Sequence, residues 1–328
     1  MKVLVTGGSG FLGSYICDQL AREGHAVRAL VRKSSNRKFL ATIPGLEFAE
    51  GSVEQKDLVD AAVAGVDAIV HSAGLVKARN KEEFFACNVQ GTANLLDAAK
   101  KHAPNLTRFV FVSSLAAVGP SSDGTPVLAS RPPSPVTEYG RSKLAAERAV
   151  LAVKDELPVT VIRPPLIYGP RDNETFAFFQ SVSRGVLPIL GDGKNTLSVV
   201  YAADAAAACV RAISAQVPSG STYFVDDGNV YVWRDALADV ERAVGRRAFV
   251  RVGIPLGVLR AAAALSEAYG KLNNKAVMLT RDKIHELSEK HWVCSSELAR
   301  KELGWEPKVN WREGTALAAE WYRANRWL

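Results

Sequence analysis

The feature that most constrains the fold is a short apolar strand that leads directly into a glycine-rich turn and an amphipathic helix. Val3-Leu4-Val5 precedes Gly7, Gly10 and Gly13, and a helical pattern follows over 11–23. Such glycines permit a tight turn and a close approach of the backbone to a pyrophosphate, whose charge the free N–H groups of a helix N-terminus favour. Because the glycines lie between a strand and a helix, they predict a dinucleotide-binding site.

Short apolar runs alternate with segments of helical period from the start of the chain to about residue 165. Runs rich in Val, Ile, Leu and Phe are typical of strands covered on both faces, so the alternation predicts a parallel sheet with crossover helices. The predicted strands span 2–5, 26–31, 46–49, 68–71, 109–113 and 159–163, and helices are predicted over 11–23, 82–101 and 139–153. The predicted fold class is α/β, a Rossmann-type doubly wound parallel sheet.

The alternation ends after Arg163, where prolines and glycines interrupt the chain. Predicted helices then dominate, over 175–184, 233–244, 256–272, 296–303 and 313–322. We expect a dinucleotide-binding domain over 1–165 and a smaller, mostly helical substrate lobe over 166–328, with a return of about 196–225 to the sheet. The apolar run 261–265 is interpreted as part of a helix packed against the core, and a helix in contact with a membrane is the alternative.

Composition excludes several classes of protein. A chain of 328 residues with 48% apolar residues has a length typical of about two domains and can form a sizeable core. The four cysteines lack the close spacing of a zinc site or redox motif, so they are interpreted as buried thiols in a reducing compartment, and no metal site is expected. Lys and Arg are scattered despite a net charge of +7, which favours a solvated surface over nucleic-acid binding.

The chain also lacks the apolar stretches that membrane targeting requires. The run at its start reaches a glycine too early for a signal peptide, and no other stretch reaches membrane-spanning length. A cytoplasmic location is therefore expected, without a transmembrane segment.

Cations follow the second predicted strand, at the point where a ribose partner is expected. An acid at this point accepts from the ribose hydroxyl, whereas an arginine suits a 2′-phosphate. The chain has Arg32, Lys33 and Ser34 here, and no acid before Glu47. This pattern predicts NADP(H), with Arg32 as the main phosphate partner and Ser34 or Lys33 assisting. NAD(H), with Arg32 as an ordinary surface residue, is the alternative.

Tyr139 and Lys143 lie one helical turn apart, so their side chains project from the same face of the predicted helix. A nearby ammonium favours the phenolate and lowers the pKa of a tyrosine toward neutrality, which suits proton exchange. Ser114 follows the apolar strand 109–113, where open α/β sheets bind ligands. Ser114 is therefore the candidate for a hydrogen bond to the substrate oxygen.

Taken in order, these motifs resemble the extended short-chain dehydrogenase/reductase family over nearly the whole chain. The matching segments are 6–13, 71–74, 88–92, Ser113-Ser114, Tyr139 with Lys143, 163–170, 201–204 and 302–307. The resemblance implies that Tyr139 is the general acid/base, that Lys143 also holds the nicotinamide ribose, and that Ser114 orients the substrate carbonyl or alcohol. It further implies a homodimer through the helices 82–101 and 139–153.

The same resemblance, together with the glycine turn, defines the residues expected at the cofactor. They are Gly7, Ser9, Gly10, Phe11, Leu12, Gly13, Arg32, Ser34, Ser52, Val53, Ser72, Ala73, Gly74, Val112, Tyr139, Lys143, Pro164 and Ile167. His71 is interpreted as a positioned turn residue rather than a base, and Asn88 as a residue that ties a helix to the sheet.

Departures from the family's patterns narrow the predicted chemistry. Leu115-Ala116 stands where dehydratases have an acidic pair, and Leu166 and Leu197 stand where sugar-nucleotide enzymes have an asparagine and an arginine that hold the diphosphate. Because a leucine cannot pair with phosphate, we expect a small, apolar, non-nucleotide ketone or secondary alcohol as substrate. The C-terminal segments resemble the 3β-hydroxysteroid dehydrogenase and dihydroflavonol reductase branch.

The predicted activity is therefore an NADP(H)-dependent ketone/secondary-alcohol oxidoreductase. Two alternatives stay open, namely a nucleotide-sugar epimerase that uses bound NAD(P) transiently and a non-catalytic NADP-binding redox sensor.

Overall fold

The computed structural model describes residues 1–190, 193–277 and 279–328. Its strands are β1 (Lys2–Thr6), β2 (Ala26–Val31), β3 (Glu47–Glu50), β4 (Ala68–His71), β5 (Arg108–Val112), β6 (Val159–Arg163), β7 (Leu166–Tyr168), β8 (Val186–Leu190), β9 (Thr196–Leu197), β10 (Val199–Tyr201), β11 (Ser221–Phe224), β12 (Tyr231–Val232), β13 (Val250–Ile254) and β14 (His291–Trp292). Its α-helices are α1 (Phe11–Arg22), α2 (Lys56–Val63), α3 (Lys81–Phe85), α4 (Gly91–His102), α5 (Glu138–Ala152), α6 (Phe176–Ser183), α7 (Ala202–Ser214), α8 (Trp233–Val244), α9 (Leu256–Leu272), α10 (Arg281–Ser288), α11 (Glu297–Leu303) and α12 (Trp311–Ala324).

A seven-stranded parallel sheet organises the chain, with the strand order β11-β6-β5-β4-β1-β2-β3. The order reverses at β1, which pairs with β2 on one side and β4 on the other. In open sheets of this kind ligands bind in the crevice beyond the carboxyl ends of the strands at the reversal. The predicted fold class, a doubly wound Rossmann-type sheet, is confirmed.

Helices cover both faces of the sheet, which explains the continuous apolar runs of its strands. One buried cluster joins β1 to α1 and α7 through residues such as Ile16 and Ala206. The other joins β5 to α2, α4 and α5 through residues such as Val59, Leu95 and Val150. The segment 196–225 contributes α7, which packs on α1, and β11, which extends the sheet beside β6.

Two local features differ from the sequence-based prediction. Helix α2 was not predicted, although Val59, Ala62 and Val63 give it a buried stripe. The predicted helix 82–101 is interrupted by a π-helical turn, Ala86–Gln90, between α3 and α4. The turn contains Cys87, which is only half-buried, so the interpretation of all four cysteines as buried thiols was wrong at this position.

The C-terminal part has its own aromatic core. Tyr168, Phe179, Trp311 and Tyr322 are almost fully buried and pack together with Leu237 of α8. The hydroxyl of Tyr322 donates to the Asp172 carbonyl (2.9 Å), and the Trp311 indole donates to the Ala236 carbonyl (3.0 Å). Among the described residues, no helix combines the length and apolar character that a transmembrane segment needs.

Helix α9 does not pack against the core as predicted. Only Ala263 and Gly270 of this helix are buried, whereas Leu265, Tyr269 and Leu272 face solvent. The apolar run indicates a helix correctly, but the helix carries apolar residues on more than one side, and only one side contacts its neighbour α10.

Helix α5 begins against a short 3₁₀ turn, Leu115–Ala117, that follows β5. Thr137 caps its first turn by accepting from the Gly140 N–H (3.0 Å). A Cβ atom on Gly140 would lie 2.3 Å from the Ala116 carbonyl oxygen, so glycine permits this close approach. The approach sets the position of Tyr139 relative to the end of β5.

Gly140→Ala should therefore destabilise the fold by about 1–3 kcal/mol, the usual cost of overpacking a buried contact. Urea unfolding followed by circular dichroism measures the change. Gly257→Ala is the matched control, because a methyl group on Gly257 in α9 would meet no other atom within 4 Å, and alanine there should be neutral or stabilising by up to about 1 kcal/mol. Equal effects of the two substitutions would contradict the role of the contact.

Candidate active site

The glycine turn between β1 and α1 forms a cradle that only glycine fits. Gly7 has a φ of +70°, and a Cβ there would lie 2.7 Å from the Ala73 backbone nitrogen. A Cβ on Gly13 would lie 2.1 Å from the Gly7 carbonyl oxygen, so α1 could not approach the turn. The N–H of Gly10 closes the turn by donating to the same carbonyl (2.9 Å).

The start of α1 is suited to an anion. Gly10 precedes the helix without a side-chain cap, and the first turn contains no acidic residue. Ser9 and Phe11 are half-buried beside the turn, and Leu12 is buried in the core beneath it. A turn built mostly of glycines, followed by a helix N-terminus without a side-chain cap, fits the pyrophosphate of a dinucleotide.

Exposed cationic and hydroxyl groups follow β2. Arg32 and Ser34 are exposed, and Ser35 closes their turn because its hydroxyl oxygen accepts from the Arg32 N–H (3.1 Å). The nearest strand-borne carboxylates are already paired, Glu50 with Arg37 (3.2 Å) and Glu47 with Lys2 and Arg28. Within the described ranges, no hydrogen bond or ion pair involves the Arg32 guanidinium, so it is available to an external anion.

The residues predicted after β3 and β4 line the same edge of the sheet. The Ser52 hydroxyl donates to Glu54 (3.2 Å), and Val53 is buried against Gly91 at the start of α4. Ser72 and Ala73 lie against the Gly7 cradle. A Cβ on Gly74 would be 3.2 Å from the side-chain oxygen of Asn88 and 3.7 Å from the Lys143 Nζ, so this turn extends from the glycine cradle to the predicted catalytic lysine.

His71 is fully buried at the end of β4 and is fixed by two threonines. The Thr92 hydroxyl donates to the Asn88 carbonyl (2.6 Å), so it accepts from Nε2–H of His71 (2.9 Å). Nδ1 of His71 then accepts from the Thr6 hydroxyl (2.7 Å), whose oxygen also accepts from the Ala73 N–H (3.2 Å). Burial lowers the pKa of His71 to about 3. The imidazole is therefore neutral and positions the turn, in agreement with its interpretation from the sequence.

Tyr139 and Ser114 meet at the end of β5. Burial raises the pKa of Tyr139 to about 12, although the neighbouring Ser114 hydroxyl lowers it, and the charge of Glu286 adds to the rise. This direction is opposite to the lowered pKa expected from the sequence, because burial dominates. The Ser114 oxygen also accepts from the Ala116 N–H (3.1 Å). The ring of Phe84 lies beside the Tyr139 ring, with centroids 6.2 Å apart. The structure thus brings together the two hydroxyls that were predicted to act on the substrate.

Lys143 lies one turn further along α5 and is buried. Its Nζ donates to the Val112 carbonyl (2.6 Å) and lies 4.4 Å from the centroid of the Phe111 ring. Burial lowers the pKa of Lys143 to about 8, and the nearby carboxylate of Glu147 opposes the shift. The ammonium is therefore mostly charged at neutral pH.

A buried ion pair behind Lys143 was not predicted from the sequence. Arg163 at the end of β6 donates from Nε to Glu147 (3.1 Å) and from Nη2 to the other carboxylate oxygen. Ser113 donates to the same carboxylate (2.7 Å). The spacing of four between Lys143 and Glu147 could have indicated that both lie on one side of α5, but the burial of Glu147 could not be read from it.

Asn88 connects three parts of the site, although not in the predicted way. Its side chain donates to the Leu75 carbonyl (3.1 Å) and to Ser142 (2.9 Å) and accepts from the Leu75 N–H (2.7 Å). Asn88 was predicted to tie a helix to the sheet. Its side chain instead joins the π-helical turn to the loop after β4 and to α5, so the predicted partner, the sheet, was wrong. The extra residue of a π-helical turn redirects the side chain.

The remaining predicted residues complete the edge of the site. The Pro164 carbonyl accepts from the Leu115 N–H (2.9 Å), and Ile167 lies half-buried on β7. From the C-terminal part, the Asp282 carboxylate accepts from the Glu138 N–H at the start of α5 (2.9 Å). Helix α10 therefore holds the start of α5 directly before Tyr139.

Comparison with known proteins identifies the fold's relatives. A model of the NAD dependent epimerase/dehydratase family matches residues 3–225. The chain belongs to this family. It is an NAD(P)-dependent enzyme of the extended short-chain dehydrogenase/reductase type, as the sequence motifs predicted.

Relatives within the family include reductases and dehydrogenases. A ceramide reductase from Caulobacter vibrioides is 32% identical over 331 residues, which cover 99% of this chain and 96% of that protein. A 3 beta-hydroxysteroid dehydrogenase/Delta 5-->4-isomerase from Mycobacterium tuberculosis is 32% identical over 267 residues, 75% of this chain and 70% of that protein. The predicted resemblance to the 3β-hydroxysteroid dehydrogenase branch is confirmed.

The fold is shared with sugar-nucleotide enzymes of the family as well. The crystal structure of a UDP-glucose 4-epimerase with UDP-glucose from Thermotoga maritima matches with a TM-score of 0.82 and 23% identity, covering 99% of this chain and 100% of that chain. In the present chain, however, Leu197 is buried in the aromatic core and Leu166 is partly exposed on β7. Neither side chain can pair with a diphosphate.

The buried neutral state of His71 predicts acid-sensitive stability. Its folded pKa of about 3 lies below its ordinary value of 6.5, so on acidification the unfolded chain binds the proton first and stability falls as the pH decreases from about 6.5 toward 3. Each pH unit of acidification in this window lowers the free energy of unfolding by about 1.4 kcal/mol. Between pH 7.5 and 5.0, His71 should therefore contribute about 2 kcal/mol to the loss of unfolding free energy.

Urea unfolding at the two pH values, for the wild type and His71→Gln, measures this contribution. The loss should be about 2 kcal/mol smaller in His71→Gln, whereas His25→Gln, which changes a half-buried surface histidine, should behave like the wild type. The same loss in all three proteins would refute the neutral buried histidine.

Proposed function

We propose that this protein is an NADP(H)-dependent oxidoreductase that interconverts a ketone and a secondary alcohol on an apolar, non-nucleotide molecule. The observation that carries the proposal is the meeting of the Ser114 and Tyr139 hydroxyls at the end of β5, one helical turn from the buried ammonium of Lys143. These groups can hold a carbonyl oxygen and deliver a proton to it. When bound, the nicotinamide supplies or accepts the hydride at the substrate carbon.

Tyr139 is assigned the proton transfer. With a pKa of about 12 the phenol is protonated at neutral pH, so in the reduction it donates its proton to the oxygen of the forming alcohol. Ser114 donates a hydrogen bond that holds the same oxygen. In the oxidation the phenolate must form, and the neighbouring Ser114 hydroxyl, which lowers the pKa of Tyr139, stabilises it.

The cofactor is assigned to the glycine cradle and the turn after β2. Gly7, Gly10 and the N-terminus of α1 hold the pyrophosphate, and Arg32 binds the 2′-phosphate with Ser34. Exposed Arg32 has no carboxylate partner in the described part of the chain, whereas the carboxylates of Glu47 and Glu50 are occupied by other cations. A guanidinium available at this position favours NADP(H) over NAD(H).

An apolar substrate is supported by two observations. Leu166 and Leu197 offer no polar partner to a nucleotide diphosphate, whose unpaired burial would be costly. The relatives that align with this chain include a ceramide reductase and a 3 beta-hydroxysteroid dehydrogenase. Both names describe redox chemistry on lipid molecules, so a lipid-like ketone is the substrate class that we assign.

Tyr139→Phe should lower turnover by at least about a hundredfold, because general acid catalysis contributes about 10²–10⁴ in rate. NADPH affinity, measured by fluorescence titration, should stay within a factor of about three, since the phenol acts mainly on the substrate. Turnover is measured as NADPH oxidation with a panel of long-chain 3-keto lipids and 3-ketosteroids, beside a UDP-sugar interconversion assay.

Tyr269→Phe is the matched control, because this tyrosine is exposed on α9; its turnover should equal that of the wild type. Undiminished turnover in Tyr139→Phe would refute the proton role. Activity with UDP-sugars alone would refute the substrate class.

Arg32→Ser should weaken NADPH binding by about ten- to hundredfold, the value of a charge-assisted hydrogen bond to phosphate. NADH binding should be unchanged, because NADH lacks the 2′-phosphate. Isothermal titration with both cofactors measures the effect, and Arg22→Ser, which removes an equal charge from the exposed end of α1, is the control. A wild type that prefers NADH, or an equal loss for both cofactors, would contradict the assignment.

A further inference from the structure

Helix α9 presents a continuous apolar face to solvent. Val258, Ala261, Leu265, Tyr269 and Leu272, here called the α9 stripe, fall within about 80° of one another around the helix axis. Leu265 and Leu272 lie two turns apart on this face and are 74% and 87% exposed. Single exposed apolar residues are ordinary, but a contiguous apolar face indicates an interaction surface.

The segment 246–281, which contains α9, carries most of the net charge of the protein. Residues 246–281 contain seven Lys or Arg residues and one acid, Glu267, so they contribute +6 of the formal net charge of +7. All seven cations are exposed, at positions Arg246, Arg247, Arg251, Arg260, Lys271, Lys275 and Arg281.

Two of these cations lie together between α9 and α10. Arg260 and Arg281 line a shallow cavity with His285 and Ile284. Glu267 contacts Arg281 (3.5 Å), and within the described residues no ion pair involves Arg260. On an ideal helix Arg260 lies about 140° around the axis from the centre of the α9 stripe, so the cavity offers an anionic group a cationic partner on the side of α9 that faces α10.

The end of α9 also contacts the loop that follows β4. Asn274, just beyond the end of α9, accepts from Arg79 in the loop after β4 (2.7 Å). Helix α10 packs on α9 and holds the start of α5 through Asp282. A surface that docks on α9 therefore lies next to the loops that lead to Tyr139.

We propose that the α9 stripe and the exposed cations of the segment 246–281 dock this protein on the surface of a bilayer that contains anionic phospholipid. A helix with one apolar face and cations on its other side is suited to the interface, where the apolar side chains enter the acyl region and the long cationic side chains reach the headgroups. A second copy of the chain fits this face poorly, because two surfaces of the same positive charge would repel each other. The docking does not depend on the proposed function, although it would bring lipid-like ketones to the site.

Vesicle sedimentation of the full chain tests the docking. The protein should bind vesicles of about 30% phosphatidylglycerol in phosphatidylcholine, and binding should weaken at high salt because screening shortens the reach of the charges. The double variant Leu265→Ser/Leu272→Ser should lower the partition coefficient by at least about tenfold, since burial of apolar side chains drives insertion. Arg260→Ser/Lys271→Ser should remove most of the preference for phosphatidylglycerol over pure phosphatidylcholine.

Leu58→Ser is the matched control, because Leu58 is an exposed leucine on α2, and its partition coefficient should equal that of the wild type. Thermal melts establish that each variant is folded. Failure of the wild type to bind, or equal binding by the double leucine variant, would overturn the proposal. The proposal would also be overturned if analytical ultracentrifugation showed a dimer that the leucine substitutions abolish. Such a dimer would form through the α9 stripe, whereas the predicted dimer uses α4 and α5.

The test is independent of catalysis. Vesicle binding needs no substrate and should be unchanged in Tyr139→Phe, whereas the double leucine variant should keep its turnover with a water-soluble ketone. A wild type that turns over ketones without binding vesicles would therefore overturn the docking alone. A wild type that binds vesicles without reducing any ketone would overturn the proposed function alone.

Discussion

The burial of the Lys143 ammonium is the constraint on which the rest of the site depends. A buried charge is costly unless it is paired and hydrogen-bonded, and here the Val112 carbonyl, the Phe111 ring and the carboxylate of Glu147 provide that compensation. Glu147 is itself buried and needs Arg163, which comes from β6. The cation therefore ties β5, α5 and β6 into one arrangement and leaves little freedom for the side chains around it.

The same arrangement explains the positions of Ser114 and Tyr139, to which we assign the substrate oxygen and the proton transfer. In a parallel sheet the carboxyl ends of β1, β4 and β5 meet at one edge, which brings Gly7, His71 and Ser114 together although they are far apart in sequence. Gly140 lets α5 approach the end of β5 closely enough for Tyr139 to reach Ser114. Neutral His71 holds the turn between them without adding a second cation beside Lys143.

Much of this could be predicted from the sequence, because apolar strands and fixed spacings are local signals. The strands of the sheet and the positions of Tyr139 and Lys143 follow from such signals, whereas the π-helical turn at Asn88 and the burial of Glu147 depend on contacts with distant segments. Helix α9 shows most clearly what could not be predicted from the sequence. Its periodicity indicates a helix, but apolar residues on several sides do not tell which side is covered.

The C-terminal part also acts directly on the surroundings of Tyr139. Asp282 satisfies the first N–H of α5, and the charge of Glu286 raises the pKa of Tyr139, so a displacement of α10 would alter both the position and the acidity of the phenol. Because α10 packs on α9, any surface that restrains α9 also restrains α10. The surroundings of Tyr139 and the exposed apolar face of α9 are thus connected through α10, although they lie on different helices.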